Sequence, residues 1–212
     1  QVPKIRFEGF SDKWSDKVIG DIADIKRGAS PRPISDPKWF NDNSAIGWVR
    51  ISDVTRSFRV LEKTEQYLSD EGVKKSRLIK SGSIIMSICA TIGKPVYTAF
   101  DVCIHDGFVV FDDLKIDADY TLYFLQTIQD KWYQYGQPGT QVNLNSDIVS
   151  NENIKYPSLE EQTQIGNFFQ QLDQLIELQT RAVESAESYK KAMLQKMFPQ
   201  KGEKVPRVRF AG

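Results

Sequence analysis

From Leu159 to Met197 the chain contains no proline and a single glycine, Gly166. A stretch of that kind has one regular solution, a long α-helix. Ser158-Leu159-Glu160-Glu161 opens it with a capping-box pattern, in which Ser158 accepts from the Glu161 amide and Glu161 reaches back. Pro157 closes the part before it and Pro199 stops it. At 1.5 Å per residue the helix spans roughly 58 Å, more than the width of the remaining chain once folded, so it is expected to project. Ile165, Phe168, Leu172, Leu175, Ala182, Ala186, Tyr189 and Met193 fall on an a/d stripe, which Phe169, Ile176, Val183 and Met197 widen. Gln179 occupies an a position, where a polar residue sets register. A heptad of this length suits a partner helix better than a fold back onto the chain's own sheet.

The chain also nearly repeats itself at its ends. Val2-Pro3-Lys4-Ile5-Arg6-Phe7-Glu8-Gly9 opens it and Val205-Pro206-Arg207-Val208-Arg209-Phe210-Ala211-Gly212 closes it. Every difference keeps the chemical type except Glu8 against Ala211. One unit therefore starts at the first phrase and a second starts, cut off, at the last. The division that follows is a globular part at 1–157, a spacer helix at 158–198, and a linker with the start of a second repeat at 199–212. Two such copies separated by helices suit a grip on two distant sites of one long partner. Gln1 is no initiator, which leaves room for residues upstream.

With 212 residues, 40% of them hydrophobic, the chain can bury one core and an appended element. A charged fraction of 26% and a mean hydropathy of -0.43 describe a soluble protein. No apolar run reaches the length of a membrane span, no signal peptide opens the chain, and no membrane partner is expected. Cys89 and Cys103 lie in apolar runs without metal-type spacing and read as buried reduced thiols, which makes the cytoplasm the expected compartment. The net charge of +0 argues against indiscriminate coating of polyanions but permits a local basic face.

Residues 11 to 27 predict a short helix or strand leading to a turn, and Arg27 to Pro33 is a loop broken by glycine and prolines. Ile46 to Val54 predicts a strand. Asp70 to Arg77 predicts a short basic helix with Ser69 as N-cap. After a turn at Ser81-Gly82, strands are expected at Ser83–Cys89, Val96–Phe100 and Phe108–Phe111. Asp119 is expected to cap a helix from Tyr120 to Tyr135, packed on the sheet. A loop follows from Gly136 to Gln141, and Ile148 and Ile154 fall on a last turn and a last strand. The fold class is α+β, with a bent, mixed sheet as its core.

The chain lacks the motifs of catalysis. Adenine methylation needs an Asn/Asp-Pro-Pro-aromatic loop and a glycine-rich cofactor loop, and neither occurs, nor does a Walker A pattern. Asp101, Asp106, Asp112 and Asp113 read as turn residues rather than a magnesium site. His105 is the single histidine. Cys103 lies two residues away, on the same face of an extended strand, which permits a dyad without supporting one. A hydrogen-bonded histidine is the plainer reading, and a DNA contact is open to it. The loops carry cations and planar polar groups of the kind that duplex recognition uses for phosphate and base edges, although each basic cluster taken alone reads as a solvated face. Lys26, Arg27, Ser30 and Arg32 share a stiff loop. Arg50 and Ser52 follow the Trp48 strand. Lys74, Lys75 and Arg77 form a basic helix face. Gln137, Thr140, Gln141, Asn143 and Asn145 make an amide-rich loop.

Pro157-Ser158-Leu159-Glu160-Glu161-Gln162-Thr163-Gln164-Ile165, with Leu172 and Leu175-Ile176, resembles the conserved-region helix of type I restriction–modification specificity subunits. The part before it resembles their target recognition domains. Ile25-Lys26-Arg27-Gly28 with Ser30-Pro31, Gly47 to Asp53, Lys80 to Ser87, Ile92-Gly93, and Gly136 through Thr140-Gln141 to Asn143-Leu144 carry that likeness, as does the Trp14 region. The resemblance implies a subunit that reads one half of a bipartite DNA target, while paired helices set the spacing between half-sites. It further implies docking of modification subunits, which methylate adenine with S-adenosylmethionine, and of a restriction subunit that adds ATP-driven translocation and cleavage. The chain itself is then expected to be non-catalytic, with S-adenosylmethionine, ATP and Mg held by those partners. It departs from the family by stopping after one copy, as a fragment or as a half-size subunit that pairs with a second copy. Two other classes stay open on the residues alone: a small DNA methyltransferase or nuclease, and a coiled-coil adaptor that touches no nucleic acid.

Overall fold

A computed structural model describes residues 3–135 and 144–210. By its contacts the chain divides into two units, Gln1–Gly166 and Asn167–Gly212. The first unit opens with β1 (Ser15–Val18), α1 (Ile19–Ile22) and β2 (Asp24–Arg27). After a 3-10 turn at Pro37–Trp39 come β3 (Gly47–Val49), α2 (Ile51–Arg56), β4 (Val60–Leu61), β5 (Gln66–Tyr67), α3 (Asp70–Lys74) and β6 (Arg77–Ile79). There follow β7 (Ile84–Ser87), β8 (Pro95–Thr98), β9 (Val102–Ile104) and β10 (Phe108–Asp112). α4 (Ala118–Thr127), a 3-10 stretch at Gln129–Tyr135, α5 (Ser146–Ser150), β11 (Asn153–Tyr156) and α6 (Leu159–Met197) complete the order.

Two mixed sheets form the body: β2-β10-β7-β8-β4 and β5-β3-β9-β6, beside a two-stranded β1-β11 ribbon. The expected α+β class with a mixed sheet holds, since β4–β8 and β3–β9 pair parallel while the others are antiparallel. The layering follows from the period of two in a strand. In β7 and β10, Ile84, Met86, Val109 and Phe111 pack with Leu122, Leu125 and Trp132. Ile85, Phe108 and Val110 face the other way, towards Val49, Ile79, Val102 and Ile104 of the second sheet. Both faces being buried, these strands read as unbroken apolar runs. The second sheet alternates too, for Trp48 and Cys103 pack with Trp39 and Leu68 in a third core. Each fully buried side chain of this kind contributes about 1.5–3 kcal/mol.

Several elements differ from the sequence reading. The strand expected over Ile46–Val54 ends at Val49, because the Asp53 carboxylate accepts the Arg50 N–H at 2.9 Å and starts α2. The basic helix ends at Lys74, so Arg77 opens β6 instead of lying on a helix face. Ser69 is its N-cap as expected, its hydroxyl accepting the Gly72 N–H at 3.2 Å. The cap of α4 is Asp117, which accepts the Tyr120 N–H at 2.8 Å, and the α-helix stops at Thr127. Asp119 is drawn away to the Arg59 guanidinium and the Tyr97 hydroxyl. β9 was not anticipated, since its three residues sit between the Phe100-Asp101 corner and the Asp106-Gly107 turn.

The first turns of α6 are knitted to the first unit. Glu161 donates its N–H to the Ser158 hydroxyl at 3.4 Å, half of the expected capping box. Its carboxylate does not reach back; it accepts from Arg6 Nε at 2.9 Å and Nη2 at 2.6 Å, and is almost wholly buried. Gln162, also buried, donates to the Pro157 carbonyl and accepts the Asp117 N–H, each at 2.9 Å. The Thr163 hydroxyl donates to Asp117 at 3.1 Å. Gly166 is required here, because a Cβ would lie 2.8 Å from Asp119 Cβ.

In the second unit the helix runs on to Met197. Phe168, Leu172, Leu175, Ala182, Ala186 and Tyr189 are exposed there, and Met193 is half-buried. Ile165 belongs to the first unit and packs against its largest core. After the helix, Arg207 pairs with Glu203 at 2.6 Å and the Val208 N–H donates to the Lys196 carbonyl at 3.0 Å.

Candidate nucleic-acid interface

Four turns of the first unit converge on one edge, and Gly28 is what allows it. A Cβ at Gly28 would fall 2.1 Å from the His105 carbonyl oxygen, so only glycine lets the chain leaving β2 lie against the turn between β9 and β10. Gly28 donates to the Phe108 carbonyl at 2.9 Å and Ala29 to the Ile104 carbonyl at 3.0 Å. The turn between α3 and β6 joins them: the Ser76 hydroxyl donates to the Ala29 carbonyl at 2.7 Å, and Arg77 Nε to the Arg27 carbonyl at 2.5 Å. The fourth turn, from β3 to α2, brings Arg50 and Ser52, with Arg50 Nη1 donating to Gln66 at 3.2 Å.

A cleft of about 460 Å³ lies among these turns, lined by Ser30, Arg32, Arg50 and Ser52 together with Trp48, His105 and Asp106. Four of the residues expected to touch DNA therefore share one concavity. A smaller cavity of about 240 Å³ also meets His105 and Asp106 and is lined by Arg27, Cys89 and Leu144. Lys74 and Lys75, at the end of α3, are exposed and run directly into Ser76. Gln137, Thr140, Gln141 and Asn143 lie outside the described residues. Asn145, counted with that loop on sequence, caps α5 by accepting the Ile148 N–H at 2.8 Å.

The charges on this edge fall into two sets. Lys26 is held by Asp112 at 2.6 Å and Arg32 by Asp106 at 3.2 Å. Arg27, Arg50, Lys74, Lys75 and Arg77 have no carboxylate partner among the described residues. A chain with no net charge thus carries an uncompensated cationic edge.

Two residues that the sequence presents as a turn residue and a hydrogen-bonded histidine, Asp106 and His105, lie at the centre. Asp106 was read as a turn residue, which its backbone bears out, but its side chain accepts from the Ser30 hydroxyl at 3.1 Å and from Arg32 at 3.2 Å. Its carbonyl accepts from Arg27 Nε at 2.6 Å. Burial pushes its carboxyl up, yet the Ser30 hydroxyl, its own amide and Arg32 outweigh that and hold it below the usual range. His105 Nδ1 accepts the Gly107 N–H at 2.9 Å, which leaves the ring proton on Nε2. Burial keeps the imidazole below its ordinary value, so it is neutral at pH 7. The signal that marks both is a lone His-Asp-Gly directly after an apolar run.

Cys103 and His105 make no nucleophile–base pair here. Cys103 is fully buried against Trp48, its thiol pushed up to about 11 by burial, and His105 has spent Nδ1 on a backbone amide. Among the described residues no group of three or more His, Cys, Asp or Glu is placed to hold a metal ion. No helix among them is long and apolar enough to cross a membrane.

Layered mixed sheets, a cationic edge built from turns and a long helix thus make up the chain. The chain belongs to the family of the type I restriction modification DNA specificity domain, whose model matches residues 11–187. The family is that of non-catalytic specificity subunits. A curated relative is the type I restriction enzyme MjaIX specificity subunit of Methanocaldococcus jannaschii, 24% identical over 170 residues, which cover 77% of this chain and 39% of that one. Among solved structures, a chain from work on complex assembly and conformational transition of the type I R-M system superposes with a TM-score of 0.68 at 18% identity, covering 89% of this chain and 46% of that one. The HsdS subunit from Thermoanaerobacter tengcongensis gives 0.63 at 19% identity, over 85% and 42%. The type I S subunit from M. genitalium gives 0.65 at 13%, over 93% and 49%. These likenesses establish the fold. The chain spans less than half the length of each of these relatives.

Proposed function

We propose that this chain supplies DNA sequence specificity to a type I restriction–modification system by reading one half of a bipartite target. The observation that carries the reading is the cationic set Arg27, Arg50, Lys74, Lys75 and Arg77 on the turns that converge beside a cleft lined by Arg50, Ser30 and Ser52. Unpaired cations gain most where they displace counterions from phosphate. The polar side chains of the cleft then have base edges within reach.

In this reading residues 1–157 are the reader, 158–198 the spacer, and 199–212 a linker into a second repeat. The stripe of exposed Phe168, Leu172, Leu175, Ala182, Ala186 and Tyr189 with half-buried Met193, entered through Ile165, pairs with the helix of a tandem second half or a second copy. Modification subunits dock on that assembly and methylate adenine. A restriction subunit joins them, and S-adenosylmethionine, ATP and Mg are bound by these partners in the cytoplasm. Gln137, Thr140, Gln141 and Asn143 add amide groups suited to adenine.

The test is to map methylated adenines in cells that carry the system, with and without the gene for this chain. The expected result is a split motif that disappears with the gene. Methylation unaltered by its loss would refute the proposal.

A further inference from the structure

Resting on that reading, we propose that Asp106 and Arg32 act as one composite reader of a cytosine–guanine pair, Asp106 accepting from cytosine N4 and Arg32 donating to guanine O6 and N7. A carboxylate is out of place on an edge that faces phosphate, yet the Asp106 side chain is 46% exposed, in the cleft, among cations. It repels phosphate, and on a duplex its favourable partners are the amino groups of base edges. Its position is fixed from three sides. One oxygen takes the Ser30 hydroxyl, the other takes Arg32, and its carbonyl takes Arg27. A carboxylate has about four acceptor sites, so each oxygen retains capacity for a base. Arg32 is 73% exposed and gives Asp106 one of its two Nη groups. Its remaining donors are available as a fork.

The spacing selects the base pair. In a Watson–Crick pair the amino donor of one base and the carbonyl acceptor of the other lie one hydrogen bond apart along the major-groove edge. Asp106 Oδ2 and Arg32 Nη2 present the complementary acceptor and donor 3.2 Å apart. Both C·G and A·T edges offer such a step. In C·G the arginine fork meets two acceptors, O6 and N7, and the carboxylate meets cytosine N4 alone. In A·T the fork meets a single O4 beside a methyl group, and the carboxylate on N6 is set against the N7 acceptor. The pair therefore fits cytosine–guanine.

The test uses the specificity subunit in its natural assembly. Duplexes with a randomised target are selected at fixed salt by the wild type, by Asp106→Asn and by Arg32→Lys. The wild type is expected to enrich C·G at one position about 10- to 100-fold over other pairs, the range of one good bidentate contact. Both variants should relax that same position about tenfold or more and keep their selectivity elsewhere, which also reports that they are folded. Arg32→Lys preserves the charge on an exposed side chain and decides the matter even if Asp106→Asn unfolds. A target without a C·G requirement, or variants that relax no position or different ones, overturns the composite reader alone. A wild type that enriches no sequence overturns the proposed function along with it.

Discussion

The uncompensated cations of the edge make a quantitative demand on how binding responds to salt. If Arg27, Arg50, Lys74, Lys75 and Arg77 each neutralise one phosphate, log K against log salt has a slope of about −4.5. Raising salt from about 50 to about 200 mM should then weaken binding roughly 500-fold. Replacing Lys74, Lys75 and Arg77 by alanine leaves two such contacts, a slope of about −1.8, and a loss of only about 12-fold over the same range. Lys26 supplies the contrast. Its ammonium sits 2.6 Å from Asp112, and meeting a phosphate would mean leaving that carboxylate. Lys26→Ala should therefore move the slope by much less than one. Fluorescence anisotropy with a labelled duplex at several salt concentrations measures all three slopes. A triple variant with an unaltered slope, or a Lys26→Ala slope reduced by a full unit, would refute the reasoning.

Gly28→Ala places a methyl against two backbone carbonyls, 2.1 Å from His105 O and 2.6 Å from Ile104 O. The overpacking should cost about 1–3 kcal/mol, or roughly 2–4 °C in Tm for each kcal/mol in a domain of this size; an unchanged Tm contradicts that close approach. His105 is held below its unfolded value by burial, so the unfolded chain binds the extra proton first as pH falls. Stability from this group is present above about pH 6.5 and declines below it; His105→Asn should flatten that part of the denaturation profile, and an identical profile would speak against it. Glu at both Leu172 and Leu175 puts charge into the exposed stripe and should dissociate the helix pair, with unaltered mass and shape in sedimentation counting against pairing.

The body of the fold was legible where side chains alone decide it. Ser83–Cys89 and Phe108–Phe111 announce strands because β7 and β10 are buried on both faces and are apolar up to Ser87 and Asp112. It was not legible where a single carboxylate chooses between neighbours. Asp117 rather than Asp119 caps α4, because Arg59 and Tyr97, distant in sequence, claim Asp119. Asp53 ends a predicted strand at Val49 and starts α2, because its carboxylate accepts the Arg50 N–H. For the site, the cation-bearing loops could be named from composition, and Ser30, Arg32, Arg50 and Ser52 do line one cleft. What joins them, Asp106 and His105, depends on the register of β9 against β3 and β6. No local pattern encodes that register.

The ion pair between Arg6 and Glu161 bears on how this protein is to be divided. The family match begins at residue 11, and a fragment trimmed to that boundary would discard Arg6 while keeping Glu161. Its carboxylate would stay sequestered at the start of the helix with its guanidinium gone, the arrangement that low-dielectric surroundings tolerate least. Arg6 is thus an integral part of the folded unit.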